Sequence, residues 1–210
     1  MPVSRPAGDT GGADPAVTAV LAAYAAGAAA EHAVLTAVAA SRLLVPVVAV
    51  LAEASADGTE KETEMALPTL IGNDGRKAVI AFTGADTVKR WRADARPVPV
   101  PAARLWPAVA AEQADAVVVD VAGPVPLVVE GARLRALANG EPPPLPHEDP
   151  DVRAQVAAVT SEFTLGPGGP DADLAVTLKT ADPAAARAAA EAIAARLASR
   201  LRRGIAIHIG

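Results

Sequence analysis

Residues 67–91 read LPTLIGNDGRKAVIAFTGADTVKRW, and this stretch decides the fold of the chain. Two short apolar runs, LPTLI and KAVIAF, contain the branched and aromatic residues that strands favour. Between them lies GNDG, whose Asn73, Asp74 and Gly75 favour the positive φ angles of a tight turn. The pattern predicts an antiparallel hairpin.

A helix is predicted directly after this hairpin. Thr83 is expected to cap it, with Asp86 three residues later completing a capping box. Val88 and Trp91 then fall on the side that faces the core. Strand, turn, strand and helix therefore form one unit.

Two helices and a strand are predicted before the hairpin. The first helix begins with Asp14 as its N-cap and ends near Gly27, and the second covers residues 29–41. They lead into RLLVPVVAVLA at residues 42–52, which is too short and too β-branched for a helix. Pro46 places this strand at a sheet edge or at a bulge.

The segment after the hairpin unit alternates strands and helices. PVPV, at residues 97–100, has proline at alternate positions, which removes ladder donors on one side and predicts an edge strand. A helix over residues 102–112 precedes AVVVDVA at 116–122, whose valines indicate a central strand covered on both faces. PLVVE at 126–130 is a further strand, and the helix ARLRALA stops at Asn139 and Gly140.

Composition divides the chain into four parts. Residues 1–13, rich in Gly, Pro, Asp and Thr, are predicted to be a disordered leader, and residues 14–140 a first domain. EPPPLPH at 141–147 is predicted to be a stiff linker, because consecutive prolines favour an extended chain. Residues 148–210 then form a small second domain.

This second domain is predicted to be helix, hairpin, helix and strand. A helix over residues 151–159 precedes strands at 161–165 and 173–179, joined by a glycine-rich turn. Asp182 caps the long helix that follows, and IAIHI at 205–209 is the last strand. The predicted fold class is therefore α/β to α+β, a mixed sheet with flanking helices followed by a smaller α+β domain.

Charge and composition exclude several classes of function. The chain of 210 residues has no cysteine, so it forms no disulfide and no thiolate metal site. A net charge of -5 argues against a general nucleic-acid binder. The apolar run at residues 19–30 is mostly alanine and shorter than a membrane span. These features favour a cytoplasmic location.

No catalytic, cofactor or metal site is predicted. Glu60, Glu62 and Glu64 would share one face of an extended segment and could bind a hard cation there. Their spacing instead favours the exposed tip of a solvated loop. The three histidines, at positions 32, 147 and 208, lack metal-ligand spacing, and no serine lies in a nucleophile motif. GPGGP at 166–170 is not followed by the lysine of a phosphate loop.

Two basic groups are the candidate partner contacts. Lys89, Arg90, Arg92 and Arg96 surround Trp91, and Arg196, Arg200 and Arg203 recur at helical spacing beside an apolar stripe. Either group could contact an acidic protein or RNA phosphates. The alternative for the first group is a solvated helix face, and for the second, arginines that complement a helix dipole.

At this point the residues resemble a known family. The succession VPV, LPTLIGNDGRKAVIAFTGADTVKRW, PVPV, AVVVDVAGPVPLVVE and ARLRALANG resembles the N-terminal domain of the SseB family, named for enhanced serine sensitivity. The tail ending in RLRRGIAIHIG is similar to what bacterial members carry after it. The resemblance implies no catalytic residues. Similar proteins are often encoded beside translation initiation factor 3, which implies a link to translation.

These observations lead to three functional hypotheses. The first is a non-enzymatic, cytoplasmic protein interaction module without a cofactor. The second is an RNA- or ribosome-associated accessory protein, and the third a domain that binds an amino acid or nucleotide at the strand ends of the sheet. The sequence leaves the partner and the oligomeric state open.

Overall fold

The computed structural model describes residues 11–47, 69–72 and 74–210. The acidic segment with Glu60, Glu62 and Glu64 lies outside the described residues, as do residues 1–10 and Asn73. The described helices are α1 Pro15–Ala25, α2 Glu31–Ala39, α3 Ala85–Trp91, α4 Ala102–Ala111, α5 Gly131–Ala138, α6 Pro150–Ala157 and α7 Pro183–Leu197. The strands are β1 Arg42–Val47, β2 Thr69–Ile71, β3 Lys77–Ala81, β4 Arg96–Pro101, β5 Ala116–Val119, β6 Leu127–Glu130, β7 Phe163–Pro167, β8 Leu174–Leu178 and β9 Ile205–Ile209.

The N-terminal part is built on a mixed sheet. Its strand order is β2-β3-β5-β6, with β3 and β5 parallel and the outer pairs antiparallel. A second, antiparallel pair of β1 and β4 joins this sheet at the end of β3, where Leu44 and Phe82 exchange backbone hydrogen bonds of 2.7 and 2.8 Å. The predicted hairpin is β2 and β3, and the predicted central strand is β5.

Helices cover both faces of this sheet. On one face Val79 and Ala81 of β3 pack in a core with residues of α1, α2, α4 and α5. On the other face Ile80 of β3 and Phe82 pack against Val88 of α3. Successive residues of β3 thus enter opposite cores, as the period of a strand requires.

Strand β4 closes the outer edge, and its prolines explain how. Leu44 directs its backbone groups to Phe82, so the even-numbered residues of β1 point away from β4 and the odd-numbered ones point toward it. The odd-numbered residues of β1 oppose even-numbered residues of β4. The backbone nitrogens of Pro97, Pro99 and Pro101 therefore lie on the free side, where an unpaired N–H would otherwise be exposed. The predicted edge strand is confirmed.

The C-terminal part has its own sheet and core. Strands β7, β8 and β9 are hydrogen-bonded in that order, antiparallel and then parallel, with α7 as the crossover. Its core contains Leu174, Val176 and Leu178 of β8 with Ile193 and Leu197 of α7. Asp149 and Asp182 cap α6 and α7, each followed by a proline in the first turn, as Asp14 does for α1.

The predicted fold class is confirmed, and two local predictions, the cap of α3 and the end of α7, need correction. Thr83 does not cap α3, because its hydroxyl donates to Asp120. The N-cap residue of α3 is Gly84, and no side chain caps the helix. In the hairpin turn Gly75 has the predicted positive φ, +79°, and the turn residue Asn73 lies outside the described residues. Helix α7 ends at Leu197, so the residues after it leave the helical spacing that the sequence suggested.

Candidate functional site

The first candidate site is the basic surface, which we define as Lys89, Arg90, Trp91, Arg92 and Arg96. Its four cationic residues are exposed and Trp91 is half-buried. The Trp91 ring lies 5.6 Å from the ring of Phe82, and the Arg92 guanidinium lies 5.8 Å from the indole centroid. The predicted cationic residues around Trp91 are therefore all accessible, and Arg92 contacts the indole directly.

Few carboxylates compensate this charge. Arg92 lies 3.4 Å from Asp94, and both side chains are exposed. Among the described residues, no carboxylate is within ion-pair distance of Lys89, Arg90 or Arg96. A half-buried tryptophan among exposed, mostly unpaired cations has the composition of a binding hot spot.

In the second predicted group, Arg196 and Arg200 line a common cleft but differ in exposure, and Arg203 lies apart from them. Arg196 is exposed and donates to Gln155 Oε1 at 3.3 Å. Arg200 turns into the interior, where 15% of its side chain is accessible. Arg203 approaches Asp173, its backbone N–H donating to Oδ2 at 3.0 Å, and its guanidinium donates to the Pro170 carbonyl. The predicted helical spacing does not extend past Arg196, because α7 ends at Leu197.

Arg200 belongs to a buried ion network, which we define as Glu31, Arg133, Arg200 and Asp149. Glu31 Oε1 accepts from Arg133 Nη1 at 2.5 Å, and Oε2 accepts from Nε and Nη2 of Arg200 at 3.1 Å each. Arg200 Nη2 also donates to Asp149 Oδ2 at 2.6 Å. The network joins α2, α5, the N-cap of α6 and the turn after α7, and its two positive and two negative charges balance.

Burial sets the electrostatics of this network. It lowers the pKa of Arg133, which Arg200 lowers further while Glu31 opposes the shift. Burial also disfavours the charged form of Arg200, but Glu31 and Asp149 outweigh it and raise the pKa of that guanidinium. Each charge is therefore held by its partners in a place where an isolated ion would be unfavourable.

A cleft of about 500 Å³ opens beside the network, between the N-terminal and C-terminal parts. We call it the seam cleft. Arg133 and Arg200 line its interior, and Arg76, Arg196 and Arg202 add three further guanidinium groups. The Arg202 guanidinium lies 5.5 Å from the ring centroid of Tyr24, whose hydroxyl donates to the Ser199 and Arg200 carbonyls at 3.0 Å each.

The carboxyl ends of β3 and β5 form a third feature. Asp120, with a φ of +53°, is buried there and accepts from the Thr83 N–H at 2.9 Å and the Thr83 hydroxyl at 2.6 Å. A mostly apolar cavity of about 230 Å³ adjoins them, with Asp86, Thr87 and Arg90 in its lining. Both carboxylate oxygens of Asp120 are bonded to Thr83, so these two residues hold the ends of β3 and β5 together.

The described part of the chain contains neither a metal-binding cluster nor a membrane-spanning helix. Within it, no group of three or more histidine or carboxylate side chains could hold a metal ion. His32 and His147 lie on α2 and in the turn before α6, and His208 is exposed on β9, so they do not converge. No described helix has both the length and the apolar character needed to cross a membrane.

Sequence reasoning missed three members of the network. Asp149 could have been found, because Asp-Pro begins α6 as it begins α1 and α7. Glu31 and Arg133 could not, since they are far apart in the sequence and each reads locally as an ordinary charged residue of an amphipathic helix.

The chain matches a known protein family. The family model described as the SseB protein N-terminal domain matches residues 17–136, which is more than half of the chain. No curated protein and no solved structure matches the chain. The matched region begins in α1 and ends in α5, and it contains the hairpin, the central strand and the basic surface. The chain therefore belongs to the SseB family.

Proposed function

We propose that this SseB-family chain is a non-enzymatic, cytoplasmic interaction module that binds an acidic segment of a protein partner through the basic surface. The observation that carries the proposal is the half-buried Trp91 among exposed cations, of which Lys89, Arg90 and Arg96 lack a carboxylate within ion-pair distance among the described residues. Tryptophan and arginine are the residues that most often dominate the energy of protein interfaces.

Charge complementarity supports an acidic occupant. Residues 85–96 contain four cationic residues and only two carboxylates, Asp86 and Asp94. Arg92 is partly ordered by its contact with the indole, so less side-chain freedom is lost on binding. The adjoining edge of β4 lacks outward N–H donors at its prolines, which opposes recognition by strand addition and leaves side-chain charge as the basis of binding.

The experiment is affinity capture from native lysate at low salt, with and without ribonuclease. It compares the wild type with Arg90→Glu/Arg96→Glu and with a control, Arg104→Glu/Lys179→Glu. The control pair is exposed and changes the net charge equally. A protein retained by wild type and control, lost from the first variant and resistant to ribonuclease is the expected result.

Two outcomes would contradict this proposal. Recovery of ribosomal components only without ribonuclease would favour the RNA-associated alternative. Equal capture by both variants would show that the basic surface is not the contact. Tryptophan fluorescence gives a direct test with the captured partner, because Trp106 is 1% exposed and Trp91 is half-buried. Partner binding should change the emission of the wild type and not that of Trp91→Phe.

A further inference from the structure

We propose that the seam cleft binds a small organic anion, held through its carboxylate or phosphate group by Arg196 and Arg202. The inference does not depend on the proposed function, because the cleft and the basic surface lie on different elements. The cleft is lined by residues of α1, α2, β6, α5, α6, the end of α7 and the turn before β3, whereas the basic surface lies on α3 and at the start of β4.

The dimensions of the cleft fit such a ligand. Its volume of about 500 Å³ falls within the range of small-molecule sites. It also lies between two separately packed cores, a position where ligands often bind. The cavity at the ends of β3 and β5 is smaller and mostly apolar. The seam cleft is therefore the better site for a charged molecule.

The lining carries more positive than negative charge. Three carboxylates, of Glu31, Glu130 and Asp151, face five guanidinium groups. Arg76 is paired with Glu130, and Arg133 and Arg200 are paired with Glu31. Arg196 and Arg202 remain without a carboxylate within ion-pair distance in the described part of the chain. This excess is what an anion would neutralise.

Both unpaired arginines are positioned by neutral groups. Arg202 lies over the ring of Tyr24, and Arg196 donates to the side-chain oxygen of Gln155. Neither contact cancels the positive charge, and both restrict the side chain near the cleft. Guanidinium groups held in this way bind carboxylate or phosphate with little loss of side-chain freedom.

A buried hydrogen-bond donor in the lining supports the same conclusion. Only 3% of the Arg133 side chain is accessible, and its Nε has no acceptor among the described residues. Its Nη1 already bonds Glu31 and the Val128 carbonyl. Buried donors are rarely left unpaired, and a ligand oxygen would reach this Nε only after the lining around Arg133 moves, because the atom is closed to solvent.

The test is isothermal titration of the full chain at low ionic strength with two probes, pyrophosphate and citrate. Binding of either probe is expected, and Arg196→Gln/Arg202→Gln should weaken it by about a hundredfold, or about tenfold for each charged hydrogen-bonding group. Arg187→Gln is the matched control, because Arg187 is an exposed arginine of α7 outside the cleft. It should bind as the wild type does.

The two probes distinguish the source of the anion. Selective binding of pyrophosphate assigns a phosphorylated ligand, and selective binding of citrate assigns a carboxylate. With saturating probe, the Nε–H resonance of Arg133 should also shift in arginine-edited NMR spectra. Binding of neither probe, or equal binding by wild type and Arg196→Gln/Arg202→Gln, would overturn the inference. Neither result would alter the capture experiment, whose variants lie outside the cleft.

Discussion

The basic surface and the buried ion network use arginine in opposite ways. Around Trp91 the cations are exposed, and only Arg92 has a carboxylate nearby among the described residues. In the network, Arg133 and Arg200 are withdrawn from solvent and share Glu31. An exposed ion pair contributes little to folding, whereas a buried charge becomes very unfavourable once its partner is removed. The first arrangement leaves arginine available for recognition, and the second makes it part of the fold.

The largest expected effect on stability comes from breaking the buried ion network. Glu31→Gln leaves Arg133 and Arg200 without their shared carboxylate and should lower the free energy of unfolding by about 3–5 kcal/mol. Glu191→Gln makes the same chemical change in an exposed pair with Arg187 and should lower it by less than about 1 kcal/mol. Urea denaturation at neutral pH measures both. Equal effects would show that burial does not separate the two classes of pair.

A smaller effect tests whether buried polar pairs away from the seam behave like the network. Thr83→Val removes the hydroxyl that donates to Asp120 and leaves a buried carboxylate oxygen unpaired. We expect a loss of about 1–3 kcal/mol in the free energy of unfolding. Thr36→Val is the control, because Thr36 is exposed and its hydroxyl bonds only the His32 carbonyl. If both variants unfold at the same urea concentration, the Asp120 bond contributes nothing.

The next effect concerns a helix cap that crosses the seam. The Asp151 carboxylate accepts from the Ala132 N–H at 2.6 Å, at the start of α5, where Glu130 provides no side-chain cap. Asp151→Ala should lower the unfolding free energy by about 1 kcal/mol. Asp171→Ala, at an exposed position, should leave the thermal midpoint unchanged. An unchanged midpoint for Asp151→Ala as well would mean that solvent replaces the cap.

The smallest effect on stability belongs to the basic surface. Arg92→Ala removes an exposed pair with Asp94 and should lower the free energy of unfolding by no more than about 1 kcal/mol. It should nevertheless weaken capture of the partner, since Arg92 contacts Trp91. Denaturation and capture with the same protein sample separate the two roles. A large loss of stability would place Arg92 with the buried cations.

Local patterns in the sequence predicted most of the fold. The Asp-Pro starts of α1 and α7, the proline alternation of β4 and the valines of β5 depend on neighbouring residues, and the structure confirms each. The exposure of the cations around Trp91 was also predictable, because lysine and arginine are rarely buried without a partner.

The buried ion network could not be predicted from the sequence, for a physical reason. Its ion pairs join Glu31 with residues 102 and 169 positions away, so no local period contains them. The error over Arg200 has the same origin, since its helical spacing from Arg196 says nothing about where α7 ends. Thr83 was wrongly predicted to cap α3, because the prediction used only neighbouring residues. Its hydroxyl donates instead to Asp120, 37 residues later.

The cap provided by Asp151 has a consequence for what counts as the unit of the family. The matched region ends at residue 136, inside α5, yet the first turn of that helix is completed by a carboxylate beyond the match. Gly131, with a φ of +58°, leaves room for it, because a Cβ there would lie 2.0 Å from Asp151 Oδ2. The region that matches the family model therefore ends before the residue that completes the hydrogen bonding of its last helix.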